Sequence, residues 1–168
     1  MSFFGKTLSF QVFHPNLLRP ISERADAVVG HGVEFQDIKS LEIPLPGISV
    51  VNADIDISAD RISYVIDQAG GSFAVTPGFN GYKISDEFDN IDPIIGVAIV
   101  SGDRPLQLAP DAVFFSENAI FIDVDGLSFQ RGSTIDLIIS FGSPEDAGQL
   151  VPIDVQAVAR LYAASFAR

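Results

Sequence analysis

The sequence predicts an all-β fold: an antiparallel β-sandwich or jelly roll of about nine or ten strands, followed by a C-terminal amphipathic helix. Three features carry this reading. Apolar and polar residues alternate from the N-terminus to about Gly142. Clusters of Gly, Pro, Asp and Ser break the alternation at short intervals. A period of three to four residues takes over only across residues 153–166.

Taken in order, "KTLSFQVF" sets Leu8, Phe10 and Val12 on one face, the signature of a half-buried strand. A long connection, "HPNLLRPISERAD", separates it from the next apolar run. "VVNADIDI" places Val51, Ala53, Ile55 and Ile57 inward and Asn52, Asp54 and Asp56 outward. The turn "SADR" leads directly into "RISYVID". "SFAVT", "GYKIS", "IIGVAIV", "AIFIDV" and "TIDLIISF" continue the pattern with the Val, Ile and Phe that suit a pleated surface. Punctuation comes from Pro44 and Pro46, from Ala69–Gly71, and from Ser101–Pro105. Asp125 and Gly126 have the chemistry of a tight hairpin turn. The 14 Phe residues fall mostly on inward positions.

The ending differs. Val155, Val158, Leu161, Tyr162 and Phe166 recur at helical spacing among helix-favouring alanines, and Arg160 and Arg168 lie where the helix dipole favours cations. Residues 1–142 are therefore read as the β-domain. Residues 143–168 are read as a linker and helix that pack on the domain or on a partner.

Composition narrows the chemistry. Lys and Arg total 10 against 22 Asp and Glu, a net charge of −12 that repels nucleic-acid phosphates. Apolar runs are too short and too broken for a membrane span. With no cysteine, disulfides, thiolate metal sites and cysteine nucleophiles are ruled out. No Walker A loop, GxGxxG, GxSxG or HExxH spacing occurs. His14 and His31 are the only histidines, and a zinc site would need both of them to meet a carboxylate such as Glu34. The "GHG" around His31 reads instead as a turn or bulge. The N-terminal stretch lacks the apolar core of a secretory signal.

Three acidic stretches are candidate calcium sites, because calcium takes six to eight oxygens from carboxylates and carbonyls. "SDEFDNIDP" supplies Asp86, Glu87, Asp89 and Asp92, "NADIDI" supplies Asp54 and Asp56, and "FIDVDG" supplies Asp123 and Asp125. The first lacks EF-hand spacing, and solvated loops are the plain alternative. Paired carboxylates also serve glycosidases, but the absence of Trp argues against a sugar platform.

"VGHGVEF" (Val29–Phe35), "FNGY" (Phe79–Tyr82) and "NAIFIDVDGL" (Asn118–Leu127) together resemble a loose group of small bacterial exported all-β domains, often carrying a C-terminal sorting tail. The resemblance covers about two-thirds of the chain and rests on structural glycines and core aromatics. It implies an exported or surface-displayed β-sandwich and carries over no catalytic residue. This chain ends in an Arg-terminated segment rather than an apolar anchor, and a cytoplasmic location is the alternative.

The expectation is a non-catalytic binding or assembly module that self-associates through strand edges or the C-terminal helix. The alternatives are a calcium-dependent carbohydrate-binding module, with a glycan as partner, and a carboxylate-based hydrolase.

Overall fold

The computed structural model describes residues 1–143 and 145. Twelve strands follow one another: β1 (Thr7–Phe13), β2 (Ala25–Val28), β3 (Val33–Phe35), β4 (Ala53–Ile57), β5 (Arg61–Ile66), β6 (Gly71–Ser72), β7 (Gly81–Ser85), β8 (Ile94–Val100), β9 (Val113–Ser116), β10 (Ala119–Asp123), β11 (Ser128–Phe129) and β12 (Thr134–Phe141). The all-β class is as expected, but the strand count is higher. The excess comes from pieces such as β3, β6 and β11, whose two or three residues are too short to display a period of two. The expected C-terminal helix over 153–166 lies outside the described residues.

Two five-stranded sheets form a sandwich-like pair. One has the order β2-β1-β7-β10-β9 and the other β3-β4-β5-β12-β8, while β6 and β11 pair as a separate ribbon. Every strand pair is antiparallel. The inward faces carry the residues that alternation selects. Leu8, Phe10, Val12, Tyr82, Ile84, Ile120 and Ile122 come from the first sheet, and Ala53, Ile55, Ile57, Ile62, Tyr64, Leu137 and Ile139 from the second; all are buried in one cluster. Across the interface Tyr64 stacks on Tyr82, with ring centroids 5.0 Å apart, and Phe10 meets Phe35 at 5.4 Å. Aromatic contacts of this kind add to the area term that drives sheet packing.

The sheets close on each other at both sides. β2 runs into β3 at one corner, and β8 lies beside β9 at the other. At the first corner Glu34 accepts the Gly30 amide at 2.9 Å and the Ile57 amide at 2.6 Å, so the "VEF" carboxylate pins the bend. The register shifts within β3, between Val33 and Phe35, just after the "GHG" stretch. At the second corner the Ile94 amide donates to the Glu117 carbonyl at 2.9 Å.

Two turn readings meet different fates. "SADR" joins β4 to β5 as a hairpin, with Ile57 opposite Ile62. Asp125 and Gly126 do form a turn, but β10 and β11 do not pair; β10 pairs with β7 and β9, and β11 with β6. A turn signal fixes local direction, while partner choice depends on the neighbouring layer.

The "FNGY" motif is structural. A Cβ on Gly81 would sit 1.8 Å from the Ile122 carbonyl oxygen, so only glycine lets β7 and β10 approach this closely. Asn80 donates from Nδ2 to the Ala74 carbonyl at 2.8 Å and is 5% exposed, and Phe79 is fully buried.

Candidate functional site

The acidic stretch 86–92 folds into a knot around one carboxylate. Asp86 is 5% exposed. It accepts the Phe88 amide at 3.0 Å, the Asn90 amide at 2.6 Å and the Ile91 amide at 2.9 Å, and the Asn90 side-chain amide also donates to it. Burial pushes the Asp86 carboxyl up, but the donors from Ile91, Asn90 and Phe88 outweigh it and hold the group below the usual carboxylate range. Asn90 in turn accepts the Thr7 amide at 2.8 Å and donates to the Thr7 carbonyl at 3.1 Å, fastening the knot to β1.

The other three acids of this stretch point elsewhere. Glu87 accepts from Ser85 Oγ at 2.6 Å and pairs with Lys83 Nζ at 3.2 Å. Asp89 is exposed at a φ of 53°, and Asp92 lies 3.6 Å from the N-terminal amine of Met1.

In the second stretch, Asp54 accepts the Asp37 amide at 2.8 Å, and Asp56 is exposed on the outer face of β4 opposite Val33 and Ser63. In the third, Asp123 accepts the Asp125 amide at 3.1 Å and the Asn80 amide at 3.3 Å, and Asp125 accepts the Thr76 amide. Burial raises the Asp123 carboxyl, those two amides pull it back, and the nearby Asp125 and Asp111 charges push it up again. Among the described residues no three His, Asp or Glu side chains form a group that could hold a metal ion.

His14 and His31 do not meet. His14 is half-buried, with burial and then the Arg19 charge lowering its pKa against the opposing pull of Asp125. His31 is exposed and packs on Phe4 at 5.0 Å. Glu34, the carboxylate that a zinc site would have needed, is held by backbone amides.

The phenylalanines are mostly inward, as the alternation implies, with a pair of exceptions. Phe114 and Phe121 stand on the outer face of the first sheet, stacked at 5.0 Å with 11° between their planes. Phe79 meets Phe114 edge-on at 5.9 Å. Lys83 flanks Phe121 in the same row, and Asp123 follows two residues along β10. The signal was in the sequence: Phe121 lies between Ile120 and Ile122, so the alternation that buries both isoleucines turns Phe121 outward.

The strongest interaction feature is β8. It ends its sheet, with β12 as its only ladder partner; β9 of the other sheet lies beside it, and Ile94 at its start donates to the Glu117 carbonyl. The strand reads "IIGVAIV" and carries no charge. The register slips between Ser140 and Phe141, leaving Ile95 as a bulge and a regular edge over Gly96–Val100. Ala98 and Ile99 are exposed, and the Ile138 beside Ala98 is 40% exposed. Toward the end of this edge, Asp136 opposes Val100 and accepts from the Ser63 hydroxyl and from Arg61 Nη2 at 3.2 Å. The sequence pointed to strand edges in general and did not distinguish β8 among them. The usable signal was seven uncharged residues without the lysine or proline that normally blunts an edge.

Among the described residues no helix is long and apolar enough to cross a membrane. Comparison with protein-family models, curated proteins and solved structures finds no match for this chain.

Proposed function

We propose that this protein is a non-catalytic β-sandwich assembly module whose β8 edge pairs with the β8 edge of a second copy. The observation that carries the reading is an uncharged, unblunted edge on a chain of net charge −12. Two such molecules repel each other over most of their surface within a Debye length of about 8 Å at physiological ionic strength. Gly96–Val100 and the neighbouring Ile138 and Ser140 offer a neutral strip on which approach costs least. Antiparallel pairing of identical strands about a twofold axis satisfies the free backbone groups of both copies and closes the assembly. The resemblance to exported bacterial domains adds display at a cell surface to the proposal, testable by cell fractionation with an antibody to the chain.

Light scattering tests the assembly. The wild type is expected at twice the 18.0 kDa chain mass, and Ala98→Lys at the single-chain mass with an unchanged circular dichroism spectrum. Added salt tightens the wild-type dimer by screening the like charges. A wild type that stays monomeric at high concentration and high salt, or an Ala98→Lys dimer, rejects the edge. Loss of the dimer only on removal of residues 153–168 moves the contact to the C-terminal segment.

A glycan-binding reading draws on the Phe114–Phe121 pair beside Lys83 and Asp123. It predicts a glycan-array signal that Phe121→Ala abolishes, and a blank array removes it.

A further inference from the structure

Successive residues of a strand turn their backbone groups toward opposite edges, so the β12 ladder fixes which groups of β8 are open. β12 turns its odd-numbered residues to β5: the Ile139 amide donates to the Asp60 carbonyl at 2.7 Å, and just before the strand the Ser133 carbonyl accepts the Ile66 amide at 2.9 Å. Thr134 turns the other way, donating to the Arg104 carbonyl at 2.8 Å and accepting the Leu106 amide at 2.9 Å. Asp136, Ile138 and Ser140 follow Thr134 at alternate positions and face β8, where they pair with Val100, Ala98 and Gly96. Gly96, Ala98 and Val100 therefore direct their backbone groups to β12. Val97 and Ile99 direct theirs to the other edge, which leaves the amides and carbonyls of both without a ladder partner. The Ile94 bond to the Glu117 carbonyl lies ahead of the bulge and leaves these groups untouched.

A twofold axis for self-pairing can be placed at successive positions along β8. Between two residues, it would set an open group against one already bonded to β12. At Val97, it would set Ile99 against the bulged Ile95 of the second copy. At Ile99, it would set Val97 against Ser101, beyond the strand end. An axis through Ala98 sets Val97 opposite Ile99 and engages every open amide and carbonyl within the regular run Gly96–Val100. The side chains agree with this register. Ala98 meets Ala98 as a non-hydrogen-bonded pair, where Cα atoms come within about 4.5 Å and side chains stand closest. Gly96, with no side chain, meets Val100. On the opposite face the β-branched pair Val97 and Ile99 covers Ile99, which is 39% exposed in the single chain.

We infer that two copies pair in this one register, with Ala98 on the twofold axis and Val97 and Ile99 exchanging backbone hydrogen bonds across it. The inference rests on the edge assembly proposed above and adds the residues that specify it.

Cysteine cross-linking tests the register on the full chain, which has no cysteine of its own. A disulfide needs Cα atoms about 4.4–6.8 Å apart. Ala98→Cys is expected to oxidise to a covalent dimer. Gly96→Cys and Val100→Cys each lie about 13 Å from their own equivalents, so each alone is expected to give no covalent dimer, and the two mixed are expected to join. Position 96 accepts the side chain, since a Cβ there lies 3.4 Å from Ser140 Cβ. A dimer in which Gly96→Cys joins Ala98→Cys, or Ala98→Cys joins Val100→Cys, moves the axis to Val97 or Ile99 and overturns the register while edge pairing stands. A wild type at the single-chain mass removes edge pairing and register together. Amide exchange of the wild type needs no substitution: Val97 and Ile99 are expected to gain protection as concentration drives dimer formation, while Ala98, bonded to β12, is protected throughout. Dimer formation that leaves exchange at Val97 and Ile99 unchanged places the contact elsewhere and overturns both.

Discussion

Replacing Asp86 with Ala is the sharpest test of how the acidic residues are used. Three backbone amides and one side-chain amide lose their common acceptor in this substitution. A hydrogen bond to a charged group contributes about 1.5–3 kcal/mol, but these four share one carboxylate at a loop that water reaches, so the values do not add. A total of about 3 kcal/mol is expected, which for a chain of this size lowers Tm by roughly 6–12 °C. Thermal and urea unfolding followed by far-ultraviolet circular dichroism reads the loss. The pH dependence gives a second signature. The folded carboxyl lies below its unfolded value of about 3.9, so its contribution is present above that pH and is lost as pH falls through the folded pKa. The gap between wild type and Asp86→Ala should therefore narrow in that acid range. A variant within about 0.5 kcal/mol of wild type at neutral pH would return residues 86–92 to an ordinary solvated loop. Asn90→Ala, made alone and with Asp86→Ala, should show strong coupling, because Asn90 carries the knot to Thr7.

Gly81→Ala should cost more than about 3 kcal/mol or abolish folding, since the new methyl meets the Ile122 carbonyl at 1.8 Å; a soluble variant with wild-type Tm refutes the close approach. Asp123→Asn should stabilise the protein at neutral pH. The folded carboxyl is raised, so its stabilising share is complete below about pH 3.9 and is lost as pH rises through the folded value; urea titrations at pH 7 and pH 3.5 should show the advantage only at the higher pH. Millimolar calcium against a chelator should leave Tm unchanged, because among the described residues the carboxylates form no group of three; a shift of several degrees would place a cation among them.

The sequence made the layers legible because burial on one face of a strand leaves a period of two at every step. Leu8, Phe10 and Val12, or Ile55 and Ile57, could be assigned inward from spacing alone. The special glycines were also legible as positions, though not in their cause. The need for Gly81 arises from Ile122, some forty residues away, and no local rule contains that contact. The acidic stretches stand as candidate ligand sets or solvated loops in the sequence because several carboxylates in a short run look alike there. What separates them is the path of the backbone. Asp86 curls over its own next five residues, Asp54 reaches Asp37, and Glu34 reaches Ile57. The β8 edge was hidden for a related reason. An apolar seven-residue run reads equally well as a central strand, and only the sheet order shows that one side is unpaired.

These assignments bear on how so acidic a chain folds and associates. With 22 acids and 10 lysines and arginines, most carboxylates have no cation to pair with. Asp86, Glu34, Glu42 and Asp123 instead accept backbone amides in turns and corners, where the ladder offers those amides no carbonyl. Each such contact satisfies a buried donor and places one negative charge at the protein's margin. The charge is then distributed over corners and outer faces, while β8 carries none. An acidic surface normally keeps copies apart, so in the proposed assembly the neutral edge of β8 is the place where two copies would meet. In that proposal the same carboxylates that hold the irregular segments together would direct association to one edge.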